Sequence, residues 1–588
     1  MNRKIFALLF SIIIFSGCED VFEPPVENIL EKEFMLRDAT FASGFLMNAY
    51  LRLPTNGWKH SDVATDNAVS NDLENEYRRM ATGEWTSQFN PADEWRNSRS
   101  AIQYVNMIIN NADEVAWAMD EDARLVYADR FKGEAYGLRA VFNLFLMQYH
   151  AGFSPEGELL GIPLVTEMEE VGSDFNTPRS SFEESMQFIY ADLDSAMALL
   201  PLDYPVNADD PLFLEKYAPM GIEAEAFTRV FGNHAIGRMS RRIAEAIRSR
   251  ATLFAASPAF YSDGNSTTWE TAVKAAEVVL ERIQGIGGLS PVGHQWFSRY
   301  SEIDGLSNGA NPAEIIWRTS NDQANELETD NYPPSLYGNG RINPSQNLVD
   351  AFPMANGYPI GHASSNYDPN NPYADRDPRL EQTVVINNGT AGPSNAPIVT
   401  AADGNNNDAL NKDQGKSTRT GYYLRKLLRM DVNVDPASQT TQRHYRPHIR
   451  YTEIFLNYAE AANEIYGPGG TGDLGFSAYD VVKAIRSRAG VGGTDDPYLE
   501  SIRSDKDAMR TLIRNERRLE LSFEDFRFLD LRRWKADLTE GVRGMRISEG
   551  AYSVINVENR PYREYMRYGP IPHQELLKYD ALQQNQGW

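Results

Sequence analysis

Apolar residues recur every three or four positions through much of the chain, the spacing of helices that bury one face. ARLVYADRFKGEAYGLRAVFNLFLMQYH, residues 123–150, predicts one long amphipathic helix or two joined ones. SFEESMQFIYADLDSAMALLP, residues 181–201, opens with Ser181, carries Glu184 three residues later and stops at Pro201. That is a capping-box start and a proline stop. SRRIAEAIRSRATLFAASPAF (240–260) and WETAVKAAEVVLERI (269–283) are rich in alanine, which lets a second helix approach closely. YTEIFLNYAEAANEIYG (451–467) and AYDVVKAIRSRAGVGG (478–493) have the same character much later. The pattern predicts a mainly α fold of tetratricopeptide-like helix pairs. No strict period of roughly 34 residues runs through the chain, so an irregular helical bundle is the alternative.

Residues 291–449 break the pattern. Gly, Pro, Asn, Asp and Tyr dominate there, as in NYPPSLYGNGRINPSQ and NNGTAGPSNAPIVTAADGNNNDALNKDQGK. AEIIWRTS (313–320) and TVVIN (383–387) are short strand candidates, and the rest reads as turn and loop. The expected organisation is a helical part over 31–290, a large loop-rich insertion over 291–449 and a second helical part over 450–588, all in one unit. GPGGTGDLG (467–475) has glycines but no Lys-Ser/Thr and no preceding strand, so it predicts a hinge between helices rather than a phosphate loop.

The start of the chain adds a location. MNRKIFALLFSIIIFSG has basic Arg3 and Lys4, then an apolar run from Ile5 to Phe15, then Ser16-Gly17 before Cys18. The run is shorter than the roughly 20 residues a spanning helix needs, so residues 1–17 read as a secretory signal. Cys18 is the only cysteine in the chain, and small residues directly before it resemble a bacterial lipobox, with Phe15 where Leu is usual. The expected mature protein begins at a lipidated Cys18, with a tether over 18–30 containing EPP, and meets the membrane only through its acyl chains. An ordinary signal peptide with an incidental cysteine is the alternative. The formal charge of −25 and pI near 4.9 argue against a nucleic-acid partner, which would need a basic face.

One acidic-protein stretch is nevertheless dense in arginine: RNERRLELSFEDFRFLDLRRW, residues 514–534. Met509, Leu512, Ile513, Leu519 and Phe523 fall largely on one helical stripe. Glu516 and Glu520 stand four apart on a shared face. Alternating guanidinium and carboxylate groups at this density predict structural ion pairs among Arg514, Glu516, Arg517, Arg518, Glu520, Arg527 and Asp530. Acid–base catalysis by the two glutamates is the weaker reading, because arginines would hold both ionised.

This stretch resembles the signature of the SusD/RagB family of outer-membrane nutrient-binding lipoproteins. The resemblance continues in RYTEIFLNYAEAANE (450–464), IRSRAG (485–490) and GPIPHQELLKYDALQQNQGW (569–588). Upstream, ADEWRNSRSAIQYVNMIINNAD (92–113), GEAYGLRAVFNLFLMQYHAG (133–152), GIPLV (161–165) and PRSSFEESMQFIYADLDSAMALLP (178–201) follow in the family's order. ANGYPI (355–360) and DRDPRL (375–380) occupy its variable middle. The resemblance implies a cell-surface, lipid-anchored, non-enzymatic protein that captures oligosaccharide and passes it to a TonB-dependent outer-membrane transporter of the SusC type. Capture of peptide or glycopeptide, which some members of the family perform, is the alternative. A surface glycosidase with paired carboxylates is a third reading.

A sugar site needs flat aromatic faces beside Asp, Asn, Gln or Arg. NGWKHSDVATDNAVSNDLENEYRRMATGEW (56–85) supplies Trp58, Asp62, Asp66, Asn67, Arg78 and Trp85 as candidates. HQWFSRY (294–300) and NYPPSLYGNGR (331–341) supply Trp296, Tyr300, Tyr332 and Tyr337. Trp95 and Trp317 are assigned to the core. His444 and His448 stand four apart, but Pro447 breaks the helix that would bring them to one zinc ion. No cofactor is expected. Asp368, Asp375 and Asp377 in DPNNPYADRDPR are a candidate set for a structural calcium ion, without EF-hand spacing.

Overall fold

A computed structural model describes residues 27–169, 172–307 and 309–588. The signal segment, Cys18 and the first part of the tether lie outside the described residues. The helices are α1 (Glu27–Arg37), α2 (Ala39–Tyr50), α3 (Trp95–Asn111), α4 (Glu121–His150), α5 (Phe182–Leu199), α6 (Arg241–Ala255) and α7 (Trp269–Glu281). After the insertion come α8 (Tyr451–Tyr466), α9 (Ala478–Arg488), α10 (Lys506–Glu520) and α11 (Arg527–Arg533). The 123–150 pattern is one continuous 30-residue helix, α4, started by Asp120, whose side chain accepts from Ala123 N. The Ser181/Glu184 capping box is formed, and α5 ends at Leu199 just before Pro201.

Each helix packs on the next, α2 on α3, α3 on α4, α4 on α5, α5 on α6 and α6 on α7, as stacked helix pairs do. The stack then skips the insertion, because α7 packs directly on α8. Small residues make this crossing close: Ala272, Ala275 and Ala276 of α7 and Ala459, Ala461 and Ala462 of α8 are all buried. Ile454, Phe455 and Leu456 of α8 are fully buried as well, each stabilising by about 1.5–3 kcal/mol. Gly137 lets α4 touch Met239, whose Cγ would lie 2.5 Å from an added Cβ. Among the described residues no helix is long and apolar enough to cross a membrane.

A second hydrophobic cluster lies beneath the insertion and joins Trp85, Trp296, Tyr422, Phe523, Phe528 and Met545. Short antiparallel pairs organise the insertion: β1 (Ala68–Ser70) with β4 (Ile342–Pro344), β2 (Ile315–Arg318) with β6 (Pro447–Arg450), and β3 (Asp322–Ala324) with β5 (Gln442–His444). The predicted strand at 313–320 is thus β2, and Trp317 within it is buried, as is Trp95 in α3. The TVVIN run contributes Val384–Val385, paired with Tyr423–Leu424. The hairpin β7 (Val542–Ser548) and β8 (Ala551–Glu558) was not predicted, although Tyr552, Val554, Ile555 and Val557 favour strand; no residue of β8 is fully buried.

The arginine-rich helix ends earlier than its apolar stripe. α10 stops at Glu520, and Phe523 and Asp525 take left-handed φ values of 61° and 63° in the turn that follows. A distant segment closes the first helices. The His150 ring bonds the Pro570 carbonyl at 2.8 Å, Asn585 donates to the His150 carbonyl at 2.9 Å, and Gln586 N donates to the Phe153 carbonyl at 2.7 Å.

Candidate functional site

Beneath the insertion, arginines and carboxylates from several elements meet in a buried network. Glu516 and Glu520 share Arg379, at 2.9 and 3.0 Å. Glu520 also binds Arg488 at 2.9 Å, and Glu516 binds Arg486 at 2.9 Å. Arg450 at the end of β6 bonds Glu524 and Glu314 at 2.9 and 2.7 Å. Arg517 pairs with Asp530 at 2.9 Å. Arg518 and Arg527 both hold Asp66, at 2.8 and 2.9 Å. Arg514 departs from the expected set: its guanidinium has no carboxylate partner and lies 4.9 Å from the Trp534 ring centre. Burial alone would raise the Glu520 carboxyl, but Arg488, Arg379 and Arg450 outweigh it and hold the group well below the usual range. An ionised Glu520 locked to two guanidiniums has no proton to give.

An open cleft of about 620 Å³, within the roughly 300–1,000 Å³ of small-ligand sites, lies apart from this network and is lined by none of its side chains. Trp58, on the loop after α2, lines it half-buried. Arg446, between β5 and β6, lies over the Trp58 ring at 4.3 Å, donates to the Gly57 carbonyl at 3.0 Å and pairs with Asp525 at 3.1 Å. That guanidinium ties the Trp58 loop to the turn after α10. Asp72 and Asn75 come from the turn after β1, and Arg341 from the start of β4, 3.8 Å from Asp72. Glu326, Asp330 and His444 complete the opposite wall. His444 contacts buried Glu328 at 3.0 Å; burial would lower its ring, but the Glu328 bond and charge raise it. The cleft therefore offers an aromatic ring beside amide, carboxylate, guanidinium and imidazole groups, a set suited to hydroxyl-rich ligands.

Of the ten ligand candidates read from the sequence, Trp58 alone lines this cleft. Trp85 is a correction. It is 3% exposed and packs against Phe528, Tyr562 and Trp588. Trp296 is likewise buried, tilted against Tyr445. Tyr332 is buried and donates its hydroxyl to the Arg429 carbonyl. Asp66 and Asn67 are buried on the arginines, and Asn67 also donates to buried Asp62. Burial raises Asp62 to about 6. These six side chains are buried, and none of them lines the cleft. Arg78 pairs with Glu558 at 2.8 Å. Tyr300 accepts from Met430 N and carries Arg429 over its ring at 4.6 Å. Tyr337 is exposed, but at the tip of the 334–337 turn, away from the cleft.

Asp72, Asn75, Asp330 and Arg341 were missed. The segments 56–85 and 331–341 that contain three of them were singled out, but for other residues: Trp58, Asp62, Asp66, Asn67, Arg78 and Trp85 in the first, Tyr332 and Tyr337 in the second. His448 is half-buried against Trp317, apart from His444, whose Nε2 faces Glu328. Asp377 is taken by Arg379 at 2.7 Å, which removes it from the candidate calcium set. Among the described residues no three His, Cys, Asp or Glu side chains are grouped to hold a metal.

Two family models match the chain in order. The SusD family matches residues 310–588, and a family described as "Starch-binding associating with outer membrane" matches 36–210. A SusD-like protein of Formosa agariphila is 26% identical over 342 residues, 53% of this chain. That match spans 57% of the relative's length. Among solved structures, a SusD-like protein from Bacteroides fragilis NCTC 9343 superposes with a TM-score of 0.71 at 22% identity, over 96% of this chain and 100% of the other. A SusD-like carbohydrate-binding protein from the same organism gives 0.68 at 20% identity, covering 93% and 100%. A laminarin-binding SusD-like protein gives 0.57 at 19% identity, covering 93% and 99%. The two family matches take in α2 to α5, the segments that line the Trp58 cleft and the arginine-rich helix, with α6 and α7 falling between them, and the chain belongs to the SusD/RagB family.

Proposed function

We propose that the protein captures oligosaccharide at the cell surface, held there by a lipidated Cys18, and passes it to a partner TonB-dependent outer-membrane transporter of the SusC type. The observation that carries the reading is the Trp58 cleft: a ring and mixed polar groups around an open cleft, in a family fold whose relatives include carbohydrate-binding proteins. Stacking on Trp58 would hold the apolar face of a sugar ring, while Asp72, Asn75, Asp330 and Arg341 would meet its hydroxyls. No bond is broken in this scheme.

Affinity electrophoresis against a panel of polysaccharides tests it. At least one glycan should retard the protein, and Trp58→Ala should restore free migration. Unchanged migration on every glycan counts against the reading. Mass spectrometry of ligands co-purified from the native membrane separates sugar from peptide. Cys18→Ala should release the protein from the membrane fraction, and purification of the anchored protein should bring a large β-barrel with it.

A further inference from the structure

A second cleft, of about 650 Å³, opens beside the first. The two share Asn56. Asp322 and Ala324 stand two apart in β3, on the same face of the strand and roughly 7 Å apart, with Asp322 lining the second cleft and Ala324 the first. His444, in the wall of the first cleft, is the register partner of Asp322. The divide is therefore one strand wide. Asn56 bridges it, donating to Asp322 at 3.2 Å and to the Ser320 and His444 carbonyls at 3.3 Å each.

The second cleft has the same mixed chemistry. Tyr50 and Tyr204 line it half-buried, with Asn311, Thr319 and Ser320. Its cations are engaged within the fold. Asp203 pairs with Arg242 at 2.6 Å, Arg238 faces Glu134 at 3.7 Å, and the Arg318 guanidinium donates to the Ala310 and Thr319 carbonyls at 2.7 and 2.9 Å. In the first cleft Lys59 pairs with Glu94, Arg341 with Asp72 and His444 with Glu328. Neither cleft holds a surplus of free cations for a polyanion.

We infer that the two clefts form one ligand path crossing the Asn56 ridge, and that it takes an uncharged, linear oligosaccharide long enough to occupy both. This rests on the capture function proposed above. A short ligand fills the Trp58 cleft alone; a longer one gains the second cleft without a second binding event, so affinity climbs with chain length and then levels off.

The test is calorimetry with laminari-, cello-, malto- and xylo-oligosaccharides, from dimers to octamers, beside a sulfated polysaccharide. For a glycan that binds, affinity should rise by roughly tenfold between the shortest and the longest chains. Thr55 is exposed and lines only the second cleft. Thr55→Trp should therefore abolish that gain and leave dimer affinity unchanged, whereas Trp58→Ala should weaken every length. Affinity independent of length, a length gain surviving Thr55→Trp, or preference for the sulfated chain overturns the two-cleft path while leaving capture intact. Failure of every sugar to bind folded protein overturns the capture function itself.

Discussion

The buried ion-pair floor of the fold and the open Trp58 cleft are built from the same residue types and behave oppositely. In the floor, Arg379, Arg450, Arg486 and Arg488 are buried on Glu314, Glu516, Glu520 and Glu524, at distances of 2.7–3.0 Å for their closest bonds. In the cleft, Asp72 and Arg341 stand 3.8 Å apart and both remain partly exposed. Desolvated charges must be saturated with partners, because a single orphan is costly; solvated ones can wait for a ligand. Saturated pairs hold the fold, and spare bonding capacity is kept for the open cleft.

The strongest way to break this contrast is to orphan a floor charge. Glu520→Ala leaves Arg379 and Arg488 short of a carboxylate, and urea unfolding should show a loss of about 3–5 kcal/mol. Trp85→Ala tests the same boundary with an apolar residue. It should cost a similar amount, about 3–5 kcal/mol, because a cavity opens between Phe528, Tyr562 and Trp588. Acid sharpens the comparison. Glu520, Glu524, Glu460 and Asp66 are all held below their ordinary values by arginine or lysine against the opposing effect of burial. Groups lowered on folding contribute stability that is present above their unfolded values, near pH 4, and lost as pH falls through the folded ones. Thermal melts should hold steady from neutrality to about pH 5 on account of these groups, then fall steeply below about pH 4. Trp58→Ala should give the smallest change in stability, about 1 kcal/mol from the lost Arg446 contact, while ligand affinity drops by roughly tenfold or more. Equal destabilisation by Trp58→Ala and Trp85→Ala would collapse the distinction between floor and cleft.

The helix stack was legible because helical period and caps are local signals. Ser181, Glu184 and Pro201 announce α5 within one stretch of sequence, and the structure places its ends there. The crowding of arginine and glutamate at 514–534 also signalled ion pairing by density alone. Their partners were hidden: Asp66 meets Arg527 across 461 positions, and no spacing rule reaches that far. The same distance hid the site. Trp58 and Trp85 look equivalent in one polar, aromatic segment, yet Trp85 meets a late-arriving Trp588 and Trp58 meets Arg446 at the edge of solvent. Burial of an aromatic is decided by what folds over it. Asp72 and Asn75 read as ordinary turn residues, and Asn75 does cap the short helix at Glu76–Arg79 while lining the cleft.

The clasp between the His150 end of α4 and the segment around Pro570 and Asn585 has a kinetic price. Its two sides are separated by 420 positions, so a ribosome finishes the first helices long before their cover exists. Contacts of such range form slowly. Until they do, the end of the helix stack stays uncovered and exposed to misassembly. The delay suits the cell-surface location proposed above, since a polypeptide that cannot lock its fold early stays threadable for longer.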